Sequence, residues 1–339
     1  MATEVIKIVD PDNGSGTNYT SLSAWEAGEQ GDLTGARDEI AVAKCRCTGG
    51  TADTSAQIIG WTTDATRYIK IWTDPSENYR HSGKWDASKY RIEVASYSSI
   101  DIGAENVWVD GIQIKGTNSS SQLRFFATYS LTTSAVLRVS NCILVGQGGS
   151  TYRTLLFPTV TGNRPITYMW NCITYNWSEY WNSYCRLTSD QYAYFYNCTF
   201  IFNGSDRGLR RENGTLTVKN CYVAGTLYGD YYGTMTKETC ASEDSTGSTG
   251  LTGIAHSTSN FVNVTSGSED YHLVNGSALI GVGTNLYNDT YLPFQTDIDG
   301  QDRGGSGATW DIGADEYLNS SLPPQLLTPQ RSIQHLLVR

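Results

Sequence analysis

Through the middle of the chain, apolar positions alternate as in strands, but the alternation slips by one residue at recurring places. "VSNCILVG", "MWNCITYN", "YFYNCTFIFNG" and "VKNCYVAG" put the slip at Asn141, Asn171, Asn197 and Asn220, at intervals of 30, 26 and 23 residues. Two residues before each Asn stand Val139, Met169, Phe195 and Val218. A Cys follows each Asn, and three residues after it come Leu144, Thr174, Phe200 and Val223. A plain strand keeps one parity on one face, so a slipped phase implies a bend. One residue in the left-handed region makes such a bend, and Asn enters that region more readily than other non-glycine residues. "VWVDGIQIKG" is a further copy, with Gly111 at the bend, Val109 before it, and Ile112 and Ile114 after it. Glycine for Asn and isoleucine for Cys fit a position of positive φ followed by a small-to-medium buried apolar group.

Short strands repeating every 20–30 residues predict a solenoid whose coils stack on one another. The pairs Ile40/Val42, Ile69/Ile71, Ile92/Val94 and Ile100/Ile102 extend the strand series upstream. The expected fold class is all-β: a right-handed parallel β-helix with an N-terminal capping helix and a C-terminal tail. A propeller blade would need roughly 40–50 residues, more than these intervals supply. Cysteines stacked one per coil would lie about 4.8 Å apart. Their parallel Cβ vectors suit buried free thiols better than disulfides. "TSLSAWEAGEQG" is the helix expected to cover the first coil, with Ser23 and Glu26 as a capping box and Leu22 and Trp25 as its apolar face. The expected boundaries are 1–36 for strand and cap, 37–317 for the β-helix with its C-terminal cap, and 318–339 for an extended anchoring tail.

Composition narrows the picture further. Helix formers are scarce, with 34 Gly, 22 Tyr, 9 Trp and only 8 Pro, which suits short strands and tight turns. A net charge of −10 and the absence of a basic stripe argue against nucleic acid as a partner. The "RGLRREN" run, Arg207 to Asn213, reads as a solvated loop. No window is apolar enough for a membrane span, and "MATEVIKIVD" carries no Sec-type signal.

The C-terminal third brings a resemblance. "DYHLVNGSALIGVG" followed by "DIDGQDR" and "DIGADEY" resembles the ending of β-helix proteins called choice-of-anchor Q domain proteins. The matching positions are Asp270 to Leu273, Gly276 to Gly283, Asp297 to Arg303 and Asp311 to Tyr317; Leu279 replaces a usual proline and Gly281 an acidic residue. "NYTSLSAWEAG" with "DEIAVAKC" resembles the start of pectate-lyase-like β-helix proteins. The resemblance implies the fold and says little about chemistry. Signal-less β-helix proteins are common among phage virion parts, so it also implies a virion, or an extracellular place after host lysis.

Chemistry is weakly written. "DIDGQD", Asp297 to Asp302, has carboxylates spaced like a calcium loop but no distal bidentate Glu, and it coincides with a family turn. Asp190, Asp206, Glu212 and Asp230 could pair across coils as hydrolytic carboxylates, yet none has a distinctive setting. His81, His256, His272 and His335 show no pairing suggestive of a metal or a triad. No catalytic residue, metal ligand or cofactor is therefore assigned. Aromatics say more: Trp170, Tyr175, Trp177, Tyr180, Trp181 and Tyr196 belong to a dense aromatic stretch, and of these Trp170 and Tyr196 fall directly before the bend on the outward parity. They either form an open platform for sugar rings or a partner subunit, or lie beneath loops that fold back. The tail offers Leu326, Leu327, Ile333, Leu336, Leu337 and Val338 as an assembly anchor. The expected function is a non-enzymatic virion component (capsid decoration, tail spike or fibre), a homo-oligomer or part of a larger assembly, with polysaccharide as a further partner. A polysaccharide lyase or glycoside hydrolase on the same scaffold is the alternative.

Overall fold

The structure, a computed structural model, describes residues 2–95, 97–117, 123–128, 135–146, 153–158, 166–177, 191–205, 207–211 and 214–318. Parallel strands stack into three faces of a β-helix. The first sheet has nine strands: Thr3–Val9, Glu39–Cys45, Ile69–Trp72, Asn106–Asp110, Val136–Ser140, Ile166–Trp170, Tyr192–Tyr196, Thr215–Lys219 and Thr236–Glu238. The second has seven, from Arg91–Val94 through Gln113–Gly116, Ile143–Val145, Ile173–Trp177, Thr199–Ser205 and Tyr222–Thr226 to Ala241–Ser242. A third sheet of four strands, Ala56–Ile58, Tyr97–Ile102, Leu123–Thr128 and Arg153–Pro158, flanks the early coils.

The bend between the first and second sheets is the repeated Asn. Asn141, Asn171, Asn197 and Asn220 have φ of 51°, 51°, 47° and 51°, and Gly111 has 72°. Thr239 adopts 47° in the next coil, so "TC" at 239–240 continues the "NC" series. The sequence pattern hides this copy because Thr rarely accepts positive φ. Thr239 Oγ1 donates to Asn220 Oδ1 at 2.6 Å, which offsets part of that strain. Beyond the bend, Cys142, Cys172, Cys198, Cys221 and Cys240 point inward, fully buried and unpaired as thiols. Each Sγ donates to a backbone carbonyl, as Cys142 does to Ser140 O at 3.1 Å. Burial pushes the Cys240 thiol up to about 11, and all five side chains pack in the apolar core as small fillers.

One sequence expectation differs in detail. Helix α1 (Leu22–Glu29) starts two residues earlier than the predicted box: Ser21 is its N-cap, accepting from Ala24 N at 3.0 Å. Glu26 turns away from the helix and accepts from Ile59 N at 3.0 Å, while Trp25 stacks on Trp61 at 5.4 Å to seal the first coil. In Glu39–Cys45 the barrel interior takes Ala41, Ala43 and Cys45 rather than Ile40 and Val42. Register explains this, because Ala41 and Ala43 pair with the inward Ile69 and Ile71. That strand is buried on both faces, so its apolar run carries no parity signal.

The C-terminal segment does not continue the coil axis. From about residue 254 it runs back along the barrel flank and straddles the Asn bend. On one side Phe261, Tyr271, Leu273, Leu279, Ile298 and Ile312 cover the outer face of the second sheet, packing on Ile143, Ile173, Tyr175, Ile201 and Tyr222. On the other, Leu286, Leu292, Phe294 and Trp310 cover Trp170 and Tyr196 of the first. The expected C-terminal cap is thus a lateral wrap. Among the described residues, no helix is long and apolar enough to cross a membrane.

Candidate functional site

The Asn ladder is the seam that the wrap reads. Asn171 Nδ2 donates to Asn141 Oδ1 at 3.2 Å, and Asn220 Nδ2 to Asn197 Oδ1 at 3.1 Å. Between these pairs the wrap inserts Arg303, whose side chain is fully buried. Arg303 donates to Asn171 Oδ1 at 3.2 Å, to the carbonyls of Gly313 and Ala314 at 3.1 and 2.7 Å, and to Glu316 Oε2 at 3.0 Å. Each flanking Asn also meets wrap backbone: Asn171 at Thr296 O, Asn197 at Asp311 O, and Asn220 at Thr284 O. The early end is closed by Asp110, which accepts from Asn141 Nδ2 at 2.7 Å and Ser140 Oγ at 2.6 Å and pairs with Arg80 at 3.0 Å. Burial works to raise the Asp110 carboxyl, but the Arg80 charge and these hydrogen bonds hold it below the usual range.

The expected aromatic platform is placed differently. Trp170 and Tyr196 point out of the barrel as their parity requires, yet they are only 6% and 0% exposed because the wrap lies on them. Tyr175 is buried against Tyr271. The Trp177 side chain, Tyr180 and Trp181 lie outside the described residues, as do Leu326, Leu327, Ile333, Leu336, Leu337 and Val338.

A neighbouring outward row stays partly open. Strand register stacks Lys70, Trp108, Arg138, Tyr168 and Tyr194, one per coil. All five are half-buried. Lys70 Nζ sits 5.0 Å from the Trp108 ring and 4.2 Å from Trp72, while Tyr168 and Tyr194 stack at 5.2 Å. Tyr291 of the wrap stacks on Tyr194 at 4.8 Å and ends the row. The outward pair singled out from the sequence, Trp170 and Tyr196, lies two residues further along the same strands, and the wrap's choice of which outward row to cover is not a property of the repeat.

A second grouping gathers where the wrap meets the loop carrying Gly83. His272 lies between Asp270 and Asp299: Nδ1 is 2.5 Å from Asp270 Oδ1 and Nε2 is 3.2 Å from Asp299 Oδ2. Lys84 Nζ reaches the other oxygen of Asp270 at 3.3 Å. Against burial, the two carboxylates push His272 up to about 11, and His272 in turn draws Asp270 down to about 2. Burial pushes Asp315 up to about 6 and Glu316 to about 7, and burial with the Asp299 charge pushes Asp297 to about 8. His272, Asp299 and Asp315 can each present a metal-ligating atom, with the three atoms within 4.8 Å of one another. The expectation of scattered, unpaired histidines therefore fails at His272; the resemblance motifs that carry these residues were the available signal.

Most other buried carboxylates serve backbone groups. Asp297 accepts from the N–H groups of Asp299, Gln301 and Glu316, and Asp311 from those of Gly281 and Tyr317. Asp230, the one cross-coil acid candidate among the described residues, accepts from Glu243 N, Asp244 N and Thr226 Oγ1. Burial raises Asp230 to about 6, and the carboxylate beside it, Asp244, is itself engaged by the backbone N–H groups of Asp230 and Thr246; Asp190, Asp206 and Glu212 lie outside the described residues.

No family model and no curated protein matches the chain. Among solved structures, the crystal structure of pectate lyase Pel9A is similar over 93% of this chain and 97% of that one, at 15% identity and a TM-score of 0.36. The parallel β-helix itself stands on the strand pairing of this chain.

Proposed function

We propose that the protein is a non-enzymatic structural and recognition component of a phage virion, working as capsid decoration, tail spike or fibre. It binds partner subunits and, along the open row of its first sheet, glycans. The observation that carries this reading is the row Lys70, Trp108, Arg138, Tyr168 and Tyr194, held in register and half-exposed. Aromatic faces at a fixed interval suit sugar rings, and interleaved cations suit their carboxylates or sulfates. The apolar tail supports an assembly role, since residues 326–338 would seat the subunit against a neighbour.

The alternative, a polysaccharide lyase or hydrolase, draws on the carboxyls held near neutrality, Asp315 at about 6 and Glu316 at about 7. It is the weaker reading, because one oxygen of Asp315 accepts from Leu273 N, and Glu316 Oε2 accepts from both Asp311 N and Arg303. One experiment separates the readings. The full chain is incubated with polygalacturonate and with alginate, then followed for unsaturated products, new reducing ends and retention of intact polymer. Retention without products, weakened at least tenfold by Trp108→Ala with Tyr168→Ala, is expected; product formation would overturn the proposal. For the assembly role, light scattering of a chain cut after residue 317 should report a smaller particle, and an unchanged particle would contradict it.

A further inference from the structure

We propose that His272, Asp299 and Asp315 bind one divalent first-row transition-metal ion of the zinc type, tying the wrap to the loop that carries Gly83. The inference is independent of the recognition reading and concerns a different face of the molecule. Four stretches converge here: the 81–85 loop and, from the wrap, the strand Asp270–Leu273, the turn at 297–302 and the segment carrying Asp315.

Three observations point to an ion rather than to a plain salt bridge. First, Asp299 uses only one of its oxygens. Oδ2 takes His272 Nε2 at 3.2 Å and Gln301 Nε2 at 2.8 Å, while Oδ1 is sealed from solvent with no hydrogen-bond partner. Leaving a buried acceptor unmet costs about 1–3 kcal/mol, and more for a charged one. The neighbouring Asp297 and Asp311, by contrast, have both oxygens met by backbone N–H groups. Second, the imidazole is oriented as a ligand. Asp270 Oδ1 holds Nδ1 at 2.5 Å, and Lys84 holds the far oxygen of Asp270, so Nε2 faces Asp299. A carboxylate behind a histidine is the usual outer support of a metal-binding imidazole. Third, the space beside these atoms depends on a glycine. A Cβ on Gly83 would lie 2.6 Å from His272 Nε2 and 3.1 Å from Asp299 Oδ1.

The donor set selects the class of ion. One imidazole nitrogen with two carboxylate oxygens suits zinc and its neighbours, whereas calcium prefers an all-oxygen shell of six or more ligands. Three protein ligands leave a coordination position for water. On binding, the Nε2 proton is displaced to solvent and the nitrogen lone pair takes the ion.

The test uses the full chain, stripped with a chelator and titrated with zinc by calorimetry and with cobalt by visible absorption. One equivalent of zinc is expected, with calcium at least tenfold weaker. Affinity should fall at least tenfold in both Asp299→Asn and His272→Gln, and about tenfold in Asp270→Asn, in line with loss of an outer-shell partner. Cobalt should give visible ligand-field bands without the near-ultraviolet charge-transfer bands of thiolate ligation, which separates this site from the cysteines. Variant folds are compared by circular dichroism, and the cobalt spectrum of the unaltered chain decides alone if a variant unfolds. Absence of stoichiometric zinc and cobalt binding, a thiolate spectrum, or undiminished affinity in Asp299→Asn and His272→Gln would overturn the proposal.

Discussion

The coil stack and the wrap that lies on it are held by different physics. In the stack, each strand pairs with its neighbours in parallel register, and the Asn bends and Cys fillers recur coil after coil. In the wrap, regular pairing among the described residues shrinks to the antiparallel pair Phe261–Asn263 with Asp270–Leu273. Its anchoring comes instead from side chains meeting backbone across long sequence separations, such as Asn171 Nδ2 to Thr296 O over 125 residues. A repeat is stabilised by nearest neighbours and tolerates local damage. A buried polar network fails as a unit when one member is lost. The contrast implies that the wrap can detach from an intact stack, while the reverse is not available to it.

The largest expected effect tests that asymmetry. Arg303→Ala leaves Asn171 Oδ1 without a donor and takes one donor each from Glu316 and the Gly313 and Ala314 carbonyls, a loss of about 3–5 kcal/mol on the scale of a broken buried ion pair. Thermal unfolding should then split in two, with Trp310 near-ultraviolet signal lost first and the far-ultraviolet β signal retained. A single unshifted transition would refute it. Next, Asn197→Ala should cost about 1–2 kcal/mol for the left-handed backbone, plus about 1 kcal/mol for each lost hydrogen bond. Asn197→Gly should recover the backbone part only, and urea midpoints would show the ordering.

A smaller effect belongs to the early end of the ladder. Asp110 has a folded-state pKa below its unfolded value, so its contribution is present above about pH 4 and is lost as pH falls through the lowered value. Asp110→Asn should lower stability at neutral pH and flatten the loss of melting temperature on the acid side; parallel pH curves for variant and wild type would contradict this. The smallest effect is a gain. Thr239→Asn places the residue used at the other bends into a φ of 47° and should stabilise by less than about 1 kcal/mol, net of the lost Thr239 hydrogen bond.

Legibility in the sequence follows the same division. The stack could be read because a bend of positive φ selects Asn or Gly, and the following interior position selects a small apolar group; Asn141 and Gly111 show this directly. The Thr239 copy escaped because its strain is compensated by a partner that the sequence does not display. The wrap's motifs could be matched by resemblance, but their placement could not, since nothing in "DIDGQDR" states that Arg303 enters a gap between Asn171 and Asn197. That placement decides which aromatics are covered. Trp170 and Tyr196 have the outward parity read from the sequence, and of the two alternatives left open for them burial holds; the half-exposed row through Trp108, Arg138 and Tyr168 is not visible as a row in the sequence for the same reason.

The account rests on the wrap lying along the barrel flank and covering the outward aromatics. Hydrogen exchange on the full chain, read peptide by peptide, tests this most directly. The backbone of residues 279–283 and 310–314 should be protected together with strands Ile166–Trp170 and Tyr192–Tyr196, and Arg303→Ala should release the first group while sparing the second. Rapid exchange throughout residues 277–317 in the unaltered chain, beside a protected stack, would contradict it.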